Sequence, residues 1–403
     1  MDRDELCLPE GSVLLHIGPY KTGSSALQAS LHRSRDELRA HGVRYAGDAI
    51  RAMRPGWGVI GRTPRGRRPA SEDEWLDLVQ ETRTATEPRV CVSTEDFARV
   101  RPEIVERIVR DLGADRLHVL VVVRRLDRLM PSQWQQRAQS FKSTTYDDYL
   151  AVVLDETSRH ADHNAFWASH DVAATVGRWA DAVGPHRVTL VVADESDRNL
   201  LPRTVERMLG LPAGLLAPEP GRNASLSLNA VEVLRRVNQA FAGHGWPDGV
   251  YHHLIRTGML RELKQAGRGA DELSIPAVPA AHAQRLRELS DERAAAVEAL
   301  AARGVHVLGD PAGLRTVENV VDADQAPTVE TISMQSAAAA VAGTVAGMMT
   351  LEEIYEKRHR RQLARARRRA RPGSPMDEMT SRELARALAR RAARRVVPGR
   401  STR

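Results

Sequence analysis

Short, nearly continuous apolar runs alternate with longer amphipathic stretches along most of the chain. Runs of about four to eight apolar residues between turn-forming residues predict buried β-strands, and apolar positions that recur every three or four residues predict helices. The predicted strands are 12–17, 90–93, 117–123 and 187–192, with a late strand or short extended segment at 305–308. The predicted helices are 24–41, 72–84, 102–112, 127–140, 201–209, 226–266 and 281–303.

The order of these elements predicts the fold class. Strands that alternate with helices and are apolar throughout are typical of a parallel sheet covered by helices on both faces. We therefore expect a three-layer α/β fold with a central, mostly parallel sheet over residues 1–325, then an Ala-rich linker at 326–350 and a basic, partly helical or disordered tail at 351–403. The Arg, Gly and Pro content of residues 51–70 predicts a mobile loop, which together with residues 143–170 is expected to shape a variable acceptor pocket.

The composition narrows the class of protein. The chain has 403 residues, of which 42% are hydrophobic and only 4% aromatic, so its core must consist mainly of Leu, Val and Ala. Cys7 and Cys91 are too few for a disulfide framework. The first residues are charged and lack the apolar stretch of a signal peptide, so we expect a cytoplasmic setting. The longest apolar run, 337–349, is shorter than the ~20 residues that span a bilayer.

The basic residues concentrate in the tail. Residues 351–403 hold 17 Lys and Arg against 6 Asp and Glu, whereas the first 350 residues hold 42 against 46, so the formal net charge of +7 comes from the tail alone. Such a tail is typical of a segment that binds an anionic membrane surface, here the inner face of the membrane, or nucleic acid. No aromatic residues interleave with the arginines, so we expect no specific nucleic-acid partner. A solvated tail without a partner is the alternative.

The stretch GPYKTGSSALQ at 18–28 connects the first predicted strand to a helix. Its glycines let the backbone approach a ligand closely, and backbone N–H groups at a helix N-terminus favour an anion. Lys21 adds a positive charge, and Ser24 and Ser25 add hydroxyl donors. These features predict a P-loop-like phosphate site; the alternative is an ordinary turn in which a serine caps the helix. Lys21 precedes the glycine, whereas in the nucleotide triphosphatase loop the lysine follows it.

A second candidate anion site follows the predicted strand 117–123. Arg124 lies at the carboxyl end of this strand, where open α/β sheets bind ligands, and Ser132 follows eight residues later on the next helix. The planar guanidinium of arginine binds two phosphate oxygens at once. Arg125 is the neighbouring alternative to Arg124.

The two sites together resemble a known family. Lys21-Thr22-Gly23-Ser24-Ser25 with the later Arg124 and Ser132 resembles the motifs of the sulfotransferases that use 3′-phosphoadenosine-5′-phosphosulfate (PAPS), and His16-Ile17-Gly18 ahead of the loop resembles their bacterial members. The resemblance implies that residues 21–25 hold the 5′-phosphosulfate and that Arg124 and Ser132 hold the 3′-phosphate. It also implies sulfuryl transfer to a hydroxyl of a carbohydrate, lipid or natural product, with no metal ion expected.

The resemblance also suggests a catalytic base. The family places its base after a strand between the two anion sites, and the residue at that position here is Glu95. Glu95 would take the proton of the acceptor hydroxyl as its oxygen attacks sulfur. Asp96 is the neighbouring alternative, and a third interpretation is that Glu95 only caps a turn. His16 is either an assisting catalytic residue or a core histidine.

A later stretch, 221–227, resembles a loop that closes over the nucleotide in bacterial members. Arg222, Asn223 and Ser225 are its candidate donors to the 3′-phosphate; alternatively Asn or Ser caps the following helix. The chain departs from animal cytosolic members at Ala26, where they carry a Trp against adenine, so the group that holds adenine is not predicted. Two rival functions stay open: a P-loop kinase or nucleotide triphosphatase with a degenerate loop, and a non-catalytic binding protein on this fold.

Overall fold

The structure, a computed structural model, describes residues 6–63, 68–219, 226–267, 273, 276–318, 320–322, 329, 331–369, 380–383 and 385–386. Contacts divide the chain into two compact units. The first consists of Met1–Gly245 and Gly267–Ser333, and the second of Trp246–Ala266 and Met334–Arg403. The boundaries near 325 and 350 stay predictions, although one helix, Met334–Arg369, runs across the second of them.

The strands of the described residues all belong to the first unit. They are β1 (Ser12–Gly18), β2 (Val43–Tyr45), β3 (Arg89–Ser93), β4 (Leu117–Val123), β5 (Val188–Val192), β6 (Val278–Pro279), β7 (His306–Leu308) and β8 (Val320–Val321). Six of these described strands form the main sheet in the order β2-β3-β1-β4-β5-β7, and every pair is parallel. The other two described strands, β6 and β8, pair with each other. The apolar strands of the sequence thus form a parallel sheet, as predicted.

Helices follow the strands in alternation. In the first unit they are α1 (Ser24–Arg33), α2 (Arg35–Ala40), α3 (Met53–Ile60), α4 (Glu72–Thr84), α5 (Pro102–Leu112), α6 (Leu126–Ala138), α7 (Tyr146–Leu154), α8 (Ala161–His170), α9 (Val172–Val183), α10 (Leu200–Leu209) and α11 (Leu228–His244). The second unit begins with one continuous helical stretch, formed by α12 (Asp248–Tyr251), a π-helical segment (His252–Met259) and α13 (Leu260–Ala266). The next helix, α14 (Ala280–Ala302), belongs to the first unit. The last, α15 (Met334–Arg369), belongs to the second unit.

Alternate residues of β1 enter two different apolar cores. Val13 and Leu15 belong to a core that includes Trp75 of α4 and Trp179 of α9, whereas Leu14 belongs to a core with Leu27 of α1. Because successive side chains of a strand point to opposite faces, the sheet has helices packed on both faces. The fold is therefore the predicted three-layer α/β fold with a central parallel sheet.

Two segments predicted to be loops contain helices. Residues 51–70 include α3, and residues 143–170 include α7 and α8. In α3, Pro55 lies in the first turn, where proline is tolerated, and Trp57 is buried. Tertiary burial therefore outweighs the low helix propensity of glycine and proline here.

The second unit is a helical packing of α12, the π-helical segment and α13 against α15. Backbones approach closely at glycines: a Cβ added at Gly258 would lie 2.2 Å from the carbonyl oxygen of Gly343, and one at Gly347 would lie 2.3 Å from that of His253. In the described part of the chain, one stretch of α15, Met334–Ala364, is long and apolar enough to cross a membrane, with a mean hydropathy of 1.2 over its most apolar part. Core helices of soluble proteins meet the same criteria.

Candidate functional site

The carboxyl ends of four neighbouring strands bring the candidate residues to one edge of the sheet. His16 of β1 is in register with Ser93 of β3, and Val123 of β4 with Val192 of β5. The segments that leave these strands carry the loop after β1, Glu95 after β3, Arg124 after β4 and Glu195 after β5. This edge is where ligands bind in open α/β sheets.

The loop after β1 turns sharply into α1. Gly23 has a φ of 101° and Lys21 a φ of 70°, both in the left-handed region. Gly23 is the N-cap residue of α1, and no side chain caps this helix end. A serine cap, the alternative explanation of the loop, is therefore not observed. The N-terminus of α1 points into the loop with its positive dipole end, which favours an anion.

Two hydroxyl groups of the loop, those of Thr22 and Ser24, belong to a buried polar network. Thr22 donates to the carbonyl oxygen of Pro19 (2.8 Å), and Ser24 Oγ lies 3.4 Å from His16 Nε2. His16 Nδ1 lies 2.8 Å from Ser93 Oγ. Burial lowers the pKa of His16 to about 4, so its ring is neutral at physiological pH. His16 thus positions Ser24.

The predicted base, Glu95, is buried beside the start of the loop. It is 2% exposed and forms an ion pair with Arg51. Gly18 packs directly against it, since a Cβ added at Gly18 would lie 3.0 Å from the Cβ and Cγ atoms of Glu95. Burial raises the pKa of Glu95 to about 7, and Asp96 adds to the rise, against the opposing charges of Arg51 and Lys21. Glu95 can therefore exchange a proton near neutral pH.

Asp96, the alternative base, has both carboxylate oxygens engaged. Trp57 Nε1 donates to one oxygen (3.0 Å), and Arg99 donates to the other (2.6 Å). Tyr20 of the loop lies under Arg51 and Arg99, whose guanidinium carbons are 5.7 and 6.0 Å from its ring centroid. These contacts suit Asp96 to a structural role, so Glu95 is the better candidate for the base.

Arg124 contacts the loop but also holds a carboxylate. Its Nη1 donates to the carbonyl oxygen of Lys21 (3.2 Å), and its Nε and Nη2 donate to the two oxygens of Glu195 (2.5 and 2.8 Å). Burial would raise the pKa of Glu195, but the hydrogen bond and charge of Arg124 lower it overall. Arg125, the neighbouring alternative, instead binds Asp127 (2.6 Å). The structure therefore brings Arg124, and not Arg125, to the loop after β1.

Helix α6 contacts the loop through Gln133, one residue beyond Ser132. Gln133 Nε2 donates to the carbonyl oxygen of Tyr20 (3.2 Å), whereas Ser132 donates to the carbonyl oxygen of Arg128 in its own helix (3.1 Å). Ser25 is exposed at the first turn of α1. The remaining predicted site residues, Arg222, Asn223 and Ser225, lie outside the described residues.

Sequence reasoning missed three residues of this site: Arg51, Gln133 and Glu195. A signal for Glu195 exists, because it follows β5 at the same sheet edge where the strand-end rule located Arg124. Arg51 and Gln133 carry no comparable signal, since their contacts arise from tertiary packing. In the described part of the chain, no group of three or more His, Cys, Asp and Glu side chains is arranged to hold a metal ion.

The Arg124–Glu195 pair predicts that Glu195 opposes anion binding. We expect Glu195→Gln to bind 3′,5′-adenosine bisphosphate about tenfold more tightly than the wild type, because the 3′-phosphate no longer competes with a carboxylate for the guanidinium. Calorimetric titration measures this change. Asp197→Asn in the same segment is the control, since Asp197 pairs with Arg203 instead. Equal or weaker binding by Glu195→Gln would show that Arg124 does not hold the phosphate.

The chain has a distant structural likeness to a solved sulfotransferase structure. The crystal structure of a sulfotransferase from Alicyclobacillus acidocaldarius is similar with a TM-score of 0.35 and 16% sequence identity, and the match covers 57% of this chain and 91% of that chain. No protein-family model matches the chain. No curated protein matches its sequence. Function must therefore be argued from the site itself.

Proposed function

We propose that this protein is a sulfotransferase that moves the sulfuryl group of PAPS to an acceptor hydroxyl. The observation that carries the proposal is the position of Glu95, a buried carboxyl group with a pKa of about 7, against Gly18 at the start of the loop that leads into α1. A base at this place is suited to a reaction that removes a proton next to a bound phosphosulfate. The sequence resemblance to PAPS-dependent sulfotransferases supports the same function.

The sulfuryl donor, PAPS, would lie across two cationic sites. Lys21 and the N-terminus of α1 suit the 5′-phosphosulfate, and Arg124, which already contacts the carbonyl oxygen of Lys21, suits the 3′-phosphate. Since PAPS is anionic at both ends, two cationic sites joined through one loop match its charge distribution. Binding requires Arg124 to release Glu195, whose carboxylate occupies the same guanidinium edge.

The chemical step would be an in-line displacement at sulfur. The acceptor oxygen forms a bond to sulfur as the bond between sulfur and the bridging phosphate oxygen breaks, and Glu95 accepts the hydroxyl proton. Negative charge develops on the departing phosphate, where Lys21 and the backbone N–H groups of the loop stabilise it. Positioning and electrostatics supply most of the rate, as in phosphoryl transfer.

A calorimetric comparison tests the function directly. The full chain should bind 3′,5′-adenosine bisphosphate without metal, and more tightly than it binds Mg-ATP. Binding of Mg-ATP but not of the bisphosphate would favour the kinase or nucleotide triphosphatase alternative. Binding of neither nucleotide would favour a non-catalytic binding protein on this fold.

We also propose that α15 contacts an anionic membrane surface. Val341, Val345, Met348 and Met349 are exposed on its N-terminal half, and Arg358, Arg360 and Arg361 are exposed on its C-terminal half. Apolar side chains beside a cluster of basic residues match the interface of an anionic bilayer.

A liposome assay tests this contact in the full chain. We expect wild-type protein to pellet with liposomes of phosphatidylglycerol and phosphatidylcholine. Replacement of Arg360, Arg361, Arg367, Arg368 and Arg369 by glutamine should weaken the affinity for these liposomes by about 10³-fold, at about 1 kcal/mol per charge, and so abolish most of the pelleting. Liposomes of phosphatidylcholine alone are the control. If the two proteins pellet equally with anionic liposomes, the contact does not exist.

A further inference from the structure

The side-chain amide of Gln133 joins the loop after β1 to helix α8. Its Nε2 atom donates to the carbonyl oxygen of Tyr20 (3.2 Å) and lies 2.7 Å from Nε2 of His170. The contact with Tyr20 identifies this amide atom as the nitrogen, because a carbonyl oxygen only accepts hydrogen bonds. The orientation of the Gln133 amide is therefore fixed by its surroundings.

His170 accepts the second proton of this amide. Burial, with the charge of Arg293, lowers the pKa of His170 well below its usual value, so its ring is neutral. A neutral imidazole has one accepting nitrogen, and the contact with an amide nitrogen, which only donates, makes that nitrogen Nε2. His170 is buried, and Arg293 donates to its backbone carbonyl oxygen. His170 is therefore a positioning residue for the Gln133 amide.

The oxygen of the same amide faces solvent. Both protons of Nε2 are used, and within the described residues Gln133 Oε1 forms no hydrogen bond. It is also not one of the buried polar atoms that lack a partner there, so it is accessible to a ligand. An amide oxygen only accepts hydrogen bonds. It therefore suits a hydroxyl group, and not the phosphate or sulfuryl oxygens of a nucleotide.

Both neighbours of the Gln133 amide also border the proposed base. The guanidinium carbon of Arg51, which pairs with Glu95, lies 5.7 Å from the ring centroid of Tyr20. Helix α8, the other neighbour, packs against the 3₁₀ helix Glu95–Arg99 that follows β3. An accessible hydrogen-bond acceptor and a base are thus presented in one region, where the acceptor molecule would bind.

We propose that Gln133 Oε1 accepts a hydrogen bond from a second hydroxyl group of the acceptor molecule, while Glu95 takes the proton of the reacting hydroxyl. The preferred acceptor is then a molecule with several hydroxyl groups, such as a carbohydrate, and not one with a single hydroxyl. A site that hydrogen-bonds a hydroxyl group disfavours an analogue that lacks it. This inference rests on the proposed function, because it concerns the acceptor of the same reaction.

Methyl β-D-glucopyranoside and cyclohexanol are the probes, since both carry hydroxyl groups on a six-membered ring but cyclohexanol has only one. Transfer of label from radiolabelled PAPS gives kcat/KM per hydroxyl group for each. We expect the wild type to prefer the glucoside by about tenfold, the value of one neutral hydrogen bond. Gln133→Met, which keeps the length of the side chain and removes the amide oxygen, should abolish this preference.

The ratio of the two acceptors separates acceptor binding from support of the loop. If Gln133 only held Tyr20 in place, the substitution would slow transfer to both probes equally and leave the ratio unchanged. Gln136→Met on the same helix is the matched control and should keep the wild-type ratio. The side chain of Gln136 forms no hydrogen bond within the described residues.

Binding of 3′,5′-adenosine bisphosphate to the wild type, measured in parallel, reports on the proposed function. Where the bisphosphate binds, three results would each overturn the inference about Gln133: no preference for the glucoside, the same preference in Gln133→Met, or transfer to neither probe. Absence of bisphosphate binding would instead refute the proposed function, and this inference with it.

Discussion

Lys21→Ala is expected to lower the rate of sulfuryl transfer by about 10²–10³-fold, the usual effect of removing one group that stabilises developing charge. The ammonium group of Lys21 lies in the loop where the departing phosphate would gain negative charge. Transfer of label from radiolabelled PAPS to 4-nitrophenol or to any hydroxyl that the wild type uses measures the loss. The substitution should also raise the pKa of Glu95, because the charge of Lys21 holds it down.

The fold should survive this substitution. Lys21 is only half-buried, and its φ of 70° is as accessible to alanine as to lysine, so the backbone strain does not change. Lys142→Ala, at an exposed position after α6, is the control and should leave transfer unchanged. Near-wild-type transfer by Lys21→Ala with unaltered melting temperature would refute the role of this loop.

The fold was predictable where burial is uniform along a segment. The strand predicted at 117–123 matches β4, and the helix predicted at 102–112 matches α5, because each has one apolar pattern and clear ends. The helix α3 was missed, because its glycines and proline favour a loop locally. Tertiary contacts stabilise this helix, because Trp57 is buried and donates a hydrogen bond to Asp96.

The candidate site was predictable only in part, for a similar reason. The strand-end rule selected Arg124, since a residue's place after a strand is visible in the sequence. The family resemblance selected Glu95. The partner Arg51 comes from a segment distant in the chain, and its contact with Glu95 exists only once the sheet has formed. Glu195 was missed although it, too, follows a strand at this edge. The pKa of Glu95 depends on that burial too, so its value near neutrality could not be read from the residue type.

The two carboxylates near the loop have opposite properties. Glu195 is partly exposed and its pKa is lowered by Arg124, so it stays charged and competes with an anion. Glu95 is buried and its pKa is raised, so it can carry a proton at neutral pH. Environments that shift the pKa values of two acidic groups in opposite directions are typical of sites with distinct acid–base roles. Under the proposed function, the difference suits Glu195 to an ion pair with Arg124 and Glu95 to the role of the base.

Glu95→Gln is expected to lower the transfer rate by about 10²–10⁴-fold and to remove its pH dependence. In the wild type the rate should rise with pH through about 7 and then level off, because the base acts only when ionised and its pKa is about 7. The glutamine variant, which does not ionise, should give a flat profile. Rates of label transfer from radiolabelled PAPS between pH 5.5 and about 8.5 measure both effects.

Stability provides a second readout for the same group. The pKa of Glu95 is raised from 4.5 to about 7 on folding, so its contribution to stability is present below pH 4.5 and is lost as pH rises through 7. The glutamine variant is neutral at every pH and does not lose this contribution. The melting temperature of the variant minus that of the wild type should therefore be higher at pH 8 than at pH 5. Asp96→Asn is the comparison variant: its rate should still rise with pH, at a lower pH than in the wild type, because Asp96 no longer raises the pKa of Glu95. If Asp96→Asn flattens the rate profile while Glu95→Gln does not, Asp96 is the base.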